Sequence, residues 1–146
     1  MNVALGSDDA GATLRQAIRA HLEARGVALV DYGVDDAAEA YPSVAFRVGE
    51  LVAAGTHDRA ILCCGTGIGM AIAANKIPGV YAANCHDVYA AERARKSNNA
   101  QVLTLGERVI GVQAALVVVD AWLASDFEGG ASAAKVAEIA TREGRA

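Results

Sequence analysis

Residues 59–76 read RAILCCGTGIGMAIAANK, and the rest of the fold can be worked out from this stretch. After the opening arginine, the next five residues are apolar, which is typical of a buried strand. Gly65, Gly67 and Gly69 follow at alternate positions, and an alanine-rich segment then predicts a short helix over residues 67–76. A strand that passes through a glycine turn into a helix is the repeating unit of α/β proteins.

The same alternation of strand and helix continues in both directions along the chain. Apolar runs that end near glycine predict five strands, and apolar residues at helical spacing predict six helices. We expect strands at residues 2–6, 27–32, 59–64, 79–84 and 101–105, and helices at 10–25, 41–54, 67–76, 86–96, 111–124 and about 131–143. This order predicts a three-layer α/β/α fold, with a doubly wound, Rossmann-like parallel sheet of five strands and an extra C-terminal helix.

The composition limits the class of protein. The chain has 146 residues, of which 53% are hydrophobic, so one domain over residues 1–146 with a full core is expected. A formal net charge of −4 argues against nucleic acid as a partner. The apolar runs are too short or too interrupted to span a membrane, and the N-terminus lacks the layout of a signal peptide. We therefore expect a cytoplasmic protein with no membrane partner.

The cysteines and histidines do not suggest a disulfide framework or a metal site. Two of the three cysteines, Cys63 and Cys64, are adjacent, and no Cys-x-x-Cys pair occurs. The three histidines are scattered, so we expect no metal ligands and no cofactor. Because side chains alternate along a strand, Cys63 and Cys64 should face opposite sides of the sheet. Cys63 and Cys85 are then expected to be buried core residues.

The end of the third strand is the strongest candidate for chemistry. Ligands of such sheets bind beyond the carboxyl ends of the strands. The glycines after Cys64 allow the backbone to approach a ligand and to point N–H groups at it, and such a nest holds an anion. The same environment favours the thiolate form of a nearby cysteine. Cys64 is therefore a candidate base, although a tight turn after a buried strand has the same pattern.

The segment CGTGIGMAIAANK, residues 64–76, resembles the signature of the ribose-5-phosphate isomerase B and galactose-6-phosphate isomerase family. The likeness extends in order over essentially the whole chain, through GSDDAG (6–11), Tyr41-Pro42, SNNAQVLTLGERVIG (97–111), VDAWL (119–123) and FEGG (127–130). The resemblance implies an aldose–ketose isomerase of a small sugar phosphate. It also implies that a proton moves through a cis-enediolate without a metal.

The resemblance assigns roles to individual residues. Cys64 matches the base of the branch that uses cysteine, while the other branch has glutamate where Met70 stands. The loop from Gly65 to Gly69 matches the segment that holds the enediolate. The catalytic candidates are Cys64, Thr66, Ser97 and His86, and the substrate-binding candidates are Asp8, Asp9, Tyr41, Gly65, Gly67, Ile68, Gly69, Asn98, Arg108 and Lys135.

The chain departs from the family pattern at several positions. The family commonly has histidine at the positions of Asp9 and Ser97, where the second is the ring-opening residue. It commonly has Arg-His at Ala131-Ser132 and arginine at Lys135. Either the substrate is a tetrose phosphate, which cannot close the usual ring, or it lacks phosphate. A subgroup acting on erythrose or erythrulose phosphate shares the Ser-Asn-Asn step and His86-Asp87. His86 either takes over ring opening or only begins a helix.

The position of Asn98 predicts an oligomer. Ser97 and Asn98 precede the fifth strand, at the edge of the sheet opposite to the end of the third strand. If Asn98 touches substrate, it most simply does so in a neighbouring subunit, and the final helix past Gly129-Gly130 is free to reach across as well. We expect a homodimer or a dimer of dimers with shared active sites.

Three other classes compete with the isomerase. An inactive sugar-phosphate binding protein would not need Cys64. A cysteine redox enzyme would need a resolving thiol, but Cys63 should face away and Cys85 lies on another strand. A flavodoxin-like nucleotide binder would need aromatic side chains near the loop for flavin stacking, and none is present there.

Overall fold

The computed structural model describes residues 1–35 and 38–144. Within these residues the strands are β1 (Asn2–Ser7), β2 (Ala28–Asp31), β3 (Arg59–Cys64), β4 (Ala82–Asn84) and β5 (Val102–Gly106). The helices are α1 (Ala12–Ala24), α2 (Tyr41–Ala53), α3 (Ile68–Ala74), α4 (Val88–Lys96), α5 (Val112–Leu123) and α6 (Ala133–Arg142). Single 3-10 turns lie at Asp9–Gly11 and Gly130–Ser132. None of these helices is long and apolar enough to cross a lipid bilayer.

The strands form one parallel sheet in the order β2-β1-β3-β5-β4. From β1 the chain first moves to one edge of the sheet and then crosses back to β3, so the order reverses between β1 and β3. A gap opens between the carboxyl ends of two such strands, and open α/β sheets bind their ligands there. Asp8 follows β1 and Cys64 ends β3, so both residues lie at this switch point.

Each face of the sheet has its own hydrophobic core. On one face Cys63 packs with residues of α1, α4 and α5, among them Trp122. On the other face Cys64 packs with residues of α2 and α3, among them Val48 and Met70. The two adjacent cysteines therefore point to opposite faces, as predicted, and the three-layer α/β architecture is confirmed.

Several predicted boundaries differ from the observed ones by one to three residues. Three of these differences have a clear local reason. β4 begins at Ala82 rather than at 79, because the side chain of Gln101 binds Tyr81 N–H at 2.9 Å and the Gly79 carbonyl at 3.1 Å. These backbone groups are thereby taken out of strand pairing. α1 begins at Ala12 because the residues before it form a 3-10 turn. α3 begins at Ile68 because Gly67 adopts a left-handed φ of 77°.

Gly11 packs directly on the backbone of β3. A Cβ at this position would lie 2.4 Å from the carbonyl carbon of Cys63 and 2.6 Å from the nitrogen of Cys64. We expect Gly11→Ala to lower the free energy of unfolding in urea by about 2–3 kcal/mol, since neither atom can move without disrupting the sheet. Gly111→Ala is the matched control, because a Cβ there meets open space. It should cost at most about 1 kcal/mol through weaker helix capping, and equal losses would contradict this packing.

The last helix covers little of its own domain. α6 is described over its full length, and none of its residues is buried. A contact near its end is the Glu143 carboxylate, which accepts a hydrogen bond from Gly79 N–H at 3.0 Å. A face of this kind is available to a second chain, so the packing of α6 on a neighbouring subunit stays a prediction.

Candidate active site

A cavity of about 490 Å³ opens at the switch point between β1 and β3. Its lining comes from the loops after β1, β3 and β5, from the last residue of β3, from the first residue of α2 and from α3. The lining residues are Asp8, Ala10, Tyr41, Cys64, Gly65, Thr66, Ile68, Gly69, Ile72 and Arg108. Eight of these ten are residues that the sequence predicts for the site, and segments far apart in the chain bring them together.

The Cys64 thiol faces this cavity and is held by the glycine loop. Its side chain is 5% exposed, and Gly67 N–H donates a hydrogen bond to Cys64 Sγ at 3.1 Å. The left-handed backbone at Gly67 turns this N–H back toward the sulfur, and a Cβ at Gly67 would lie 2.6 Å from Asn84 Oδ1. A donor aimed at the sulfur stabilises negative charge on it, which suits a thiolate base.

The other two cysteines are in different environments. Cys63 lies on the opposite face of the sheet, and its complete burial raises the pKa of its thiol. Burial, with a smaller contribution from Asp87, raises the pKa of the Cys85 thiol to about 11. Both side chains therefore remain neutral thiols at physiological pH. Cys64 is the cysteine whose surroundings favour chemistry.

Asp8 offers an acceptor to a ligand in the cavity. Its side chain is 8% exposed, and Oδ1 is buried without a hydrogen-bond donor among the described residues. Burial and the adjacent charge of Asp9 raise the pKa of the Asp8 carboxyl. A buried polar atom without a partner is rare in folded proteins. A hydroxyl group of a bound substrate would satisfy this oxygen.

Arg108 supplies a positive charge at the cavity. The turn that carries it is bound to the glycine loop, since Glu107 N–H donates to the Cys64 carbonyl at 2.9 Å and Arg108 N–H to the Gly65 carbonyl at 3.0 Å. Within residues 1–35 and 38–144, the Arg108 guanidinium has no carboxylate within 4 Å. It is therefore free to bind an anionic group of a ligand.

The structure adds residues that the sequence prediction missed. Ile72 lines the cavity one helical turn after Ile68, and this spacing would have identified it once Ile68 was a candidate. Glu107 accepts a hydrogen bond from Leu14 N–H at 2.9 Å and so fixes the first turn of α1 beside the cavity. Nothing in the sequence signals that contact, because the two residues are 93 positions apart.

His86 is held in a local structural contact. Gly106 N–H donates a hydrogen bond to His86 Nε2 at 2.9 Å, so this nitrogen carries no proton. Burial lowers the pKa of His86, and the Asp87 charge only partly opposes this effect. Asp87 in turn caps α4 by accepting from Ala90 N–H at 2.7 Å. His86 does not line the Cys64 cavity, and its contacts favour a structural role over ring opening.

Six predicted site residues do not line the Cys64 cavity. Gly67 still touches the site, through its N–H bond to Cys64 Sγ, and His86 accepts from Gly106 N–H instead. The other four lie elsewhere. Ser97 ends α4, where its hydroxyl accepts hydrogen bonds from Arg93. Asn98 lines a different cavity of about 540 Å³ beside the edge strand β4. Lys135 is exposed on α6, and Asp9 begins the 3-10 turn after Asp8 without lining the cavity. One subunit therefore does not bring these side chains to its own Cys64.

Comparison with known proteins shows to which family the chain is related. The family model for ribose/galactose isomerases matches residues 3–139. D-erythrulose-4-phosphate isomerase of Pectobacterium atrosepticum is 49% identical over 141 residues, which cover 95% of this chain and 93% of that protein. Ribose-5-P isomerase B of Listeria innocua is 48% identical over 137 residues, with 93% of each chain covered.

A solved structure shares the whole fold. Ribose-5-phosphate isomerase B of Clostridium thermocellum superposes with a TM-score of 0.96 and 42% sequence identity, over 99% of both chains. The family model extends from the first strand to the last helix, and the shared fold covers almost the whole chain. The chain therefore belongs to the ribose/galactose isomerase family.

Proposed function

We propose that this chain interconverts the aldose and ketose forms of a short sugar phosphate, with Cys64 carrying the proton. The observation that supports this most directly is the Cys64 thiol in the cavity with Gly67 N–H donating to its sulfur. Asp8 and Arg108 line the same cavity, which provides an acceptor for hydroxyl groups and a cation for a phosphate. Relatives named for four-carbon and five-carbon sugar phosphates support the substrate class.

In the proposed reaction, the Cys64 thiolate removes a proton from the carbon next to the substrate carbonyl. The electron pair of that C–H bond forms the carbon–carbon double bond of the enediolate, and negative charge develops on the carbonyl oxygen. Backbone N–H groups of the Gly65–Gly69 loop stabilise this charge. The Cys64 thiol then returns the proton to the former carbonyl carbon. A second proton passes from the adjacent hydroxyl oxygen to the former carbonyl oxygen, so that the carbonyl group moves by one carbon.

Thr66 is suited to the transfer between oxygens. Its Oγ1 accepts a hydrogen bond from Ile68 N–H at 3.3 Å, which leaves the hydroxyl proton free to point into the cavity. A hydroxyl in this state can donate to one enediolate oxygen and accept from the other. We therefore keep Thr66 beside Cys64 as a catalytic candidate, with Asp8 and Tyr41 as substrate-binding candidates.

The proposed substrate is first of all a tetrose 4-phosphate. Ring closure of an aldose to the usual five-membered ring needs a free 4-hydroxyl, and in erythrose 4-phosphate this oxygen is esterified. Such a sugar stays open and needs no ring-opening histidine. The chain has Ser97 at the family's histidine position, and His86 Nε2 is already engaged by Gly106 N–H. Ribose 5-phosphate, which must be opened, is the second candidate, and an unphosphorylated sugar is the third.

The proposed enzyme works as a homodimer or a dimer of dimers with shared sites. Support comes from Asn98, which faces a cavity other than that of its own Cys64, and from α6, whose residues remain uncovered. We also propose the cytoplasm as its compartment. The three free cysteines suit a reducing environment.

Aldose–ketose conversion in heavy water, followed by proton NMR, tests this function. We expect deuterium at the exchanging carbon, and kcat/KM at least about 10-fold higher for erythrulose 4-phosphate than for ribose 5-phosphate, because the enzyme lacks a ring-opening group. Free erythrulose should react about 100-fold more slowly than its phosphate, since a charge-assisted contact to Arg108 is lost.

One control variant and two possible outcomes separate the parts of this proposal. Arg108→Ala should slow the phosphorylated sugar and leave the slow reaction of the free sugar nearly unchanged. No aldose–ketose conversion of any phosphorylated sugar would contradict the isomerase function and favour an inactive binding protein. Faster turnover of ribose 5-phosphate than of the tetrose phosphate would overturn only the proposed substrate preference.

A further inference from the structure

Two buried arginines lie at the amino ends of the strands, far from Cys64. Arg59 opens β3 and Arg95 belongs to the last turn of α4, and both are more than nine-tenths buried. They line a cavity of about 480 Å³ together with Asp58 and Asp126. Cys64 is five residues further along β3, which places it about 16 Å away at the usual rise of an extended strand. We refer to Arg59 and Arg95 as the basal arginine pair.

Arg59 is fully engaged by the end of α5. Its Nη1 donates to the carbonyls of Trp122 at 2.9 Å and Leu123 at 3.0 Å, and its Nη2 donates to the Ser125 carbonyl at 2.8 Å. Its Nη2 also contacts Asp126 Oδ1 at 2.5 Å. Arg59 therefore closes the carboxyl end of α5 and has a counter-charge.

Arg95 lacks an equivalent set of partners. Its Nη1 donates to Asn99 Oδ1 at 3.2 Å and to the Ala100 carbonyl at 3.0 Å. Its Nε is buried without an acceptor, and in the described part of the chain no carboxylate lies within 4 Å of its guanidinium. Burial lowers the pKa of Arg95, the charge of Arg59 lowers it further, and the charge of Asp126 opposes these two effects only in part. A buried cation without a counter-ion is costly in a folded protein.

The two carboxylates at this cavity compensate the charge of the arginine pair only in part. Asp58 turns toward the amino terminus, where its Oδ2 accepts a hydrogen bond from Asn2 N–H at 2.6 Å. Asp126 pairs with Arg59 from the solvent side, since its side chain is 89% exposed. Two buried guanidinium groups therefore share one exposed carboxylate. The remaining positive charge, together with the unpaired Nε of Arg95, suits one more oxyanion in the cavity.

We propose that this cavity binds a phosphate-sized oxyanion at the basal arginine pair, with the Asp126 carboxylate as an internal competitor for Arg59. Guanidinium groups present paired N–H donors that match the oxygens of phosphate. The ligand is either free inorganic phosphate or the phosphate group of a sugar phosphate. This site is separate from the cavity that holds Cys64, so it does not depend on the proposed reaction.

A titration of the ¹⁵N-labelled full-length protein with inorganic phosphate, at constant ionic strength set with sodium chloride, tests the site. We expect saturable shifts in the backbone amide signals of Arg59, Arg95, Ser125 and Asp126. Shifts in the Gly65–Gly69 loop should follow a separate binding curve, because they report phosphate in the Cys64 cavity. The absence of saturable shifts around the basal arginine pair would overturn the proposal.

Two variants with opposite expected effects make the test specific. Arg95→Met should abolish the basal shifts and leave those of the Gly65–Gly69 loop in place. Asp126→Asn removes the competing carboxylate at an exposed position and should tighten phosphate binding severalfold. If Arg95→Met does not fold, Asp126→Asn decides alone, and unchanged or weaker binding in that variant would overturn the proposal.

The same spectra distinguish the two sources of phosphate. Ribose 5-phosphate is added to the Cys64→Ala protein, which removes the proposed base. Basal shifts with both compounds support a site for the phosphate group of sugar phosphates. Basal shifts with inorganic phosphate alone support a site for the free ion.

Discussion

Cys64→Ala is expected to lower kcat by about 10³-fold or more while KM changes little, because the side chain transfers the proton and binds little of the substrate. The sulfur lies in the cavity and accepts a hydrogen bond from Gly67 N–H, whereas alanine offers no basic atom at this position. Initial rates measured with the aldose, erythrose 4-phosphate, and with the ketose, erythrulose 4-phosphate, give both constants for each direction.

Cys63→Ala is the matched control, since it changes the same residue type one position earlier. Cys63 faces the opposite core, and burial raises the pKa of its thiol. We expect activity to stay within about 2-fold and stability to fall by about 1 kcal/mol, as for other small losses of core volume. Retention of more than a tenth of the activity in Cys64→Ala, or an equal loss in both variants, would contradict the role of Cys64.

Mixing two inactive variants should restore activity if the site is shared between subunits. Asn98→Ala and Cys64→Ala each damage a different part of the proposed site, and Asn98 faces a cavity away from its own Cys64. In a hybrid dimer one site then carries both changes and the other carries neither. Since random association yields half hybrids, the mixture is expected to reach about a quarter of the wild-type activity.

The experiment needs co-expression of the two variants with different tags, and light scattering to establish the size of the assembly. Cys64→Ala mixed with Arg108→Ala is the negative control. Both residues line the cavity of one subunit, so no hybrid site is intact and no recovery is expected. A fully active monomer, or a dimer in which the Asn98→Ala mixture shows no recovery, would contradict shared sites.

Much of the candidate site was predictable because it follows strand ends. In a parallel sheet the residues after the strands all arrive at one edge, so Asp8, Cys64 and Arg108 meet although they are far apart in the chain. Asn98 and Lys135 are also predicted from the family pattern, yet one subunit does not bring them to Cys64. No comparable rule predicts from the sequence where a side chain lies when it does not follow a strand.

The proposed preference for a tetrose phosphate depends partly on residue positions in the sequence and partly on contacts in the structure. The sequence places Ser97 at the family's histidine position, but its environment comes from the structure, where Arg93 donates to the Ser97 hydroxyl. Likewise, the sequence leaves two roles open for His86, and the hydrogen bond from Gly106 N–H is what favours the structural one. The sequence therefore shows that the family's ring-opening histidine is absent, but it does not show which contacts the residues at these positions make.

The sequence by itself determined the alternation of strands and helices, the glycine loop after Cys64 and the opposite directions of Cys63 and Cys64. These features are local. Side-chain directions repeat every 2 residues in a strand and every 3.6 residues in a helix because the backbone geometry sets these periods, and glycines mark the turn directly. Only the tertiary structure decided the strand order, the contact of Gly67 N–H with the Cys64 sulfur and the unpaired state of Arg95. Those depend on packing between distant segments, such as Arg59 with Ser125 across 66 residues, which no local pattern encodes.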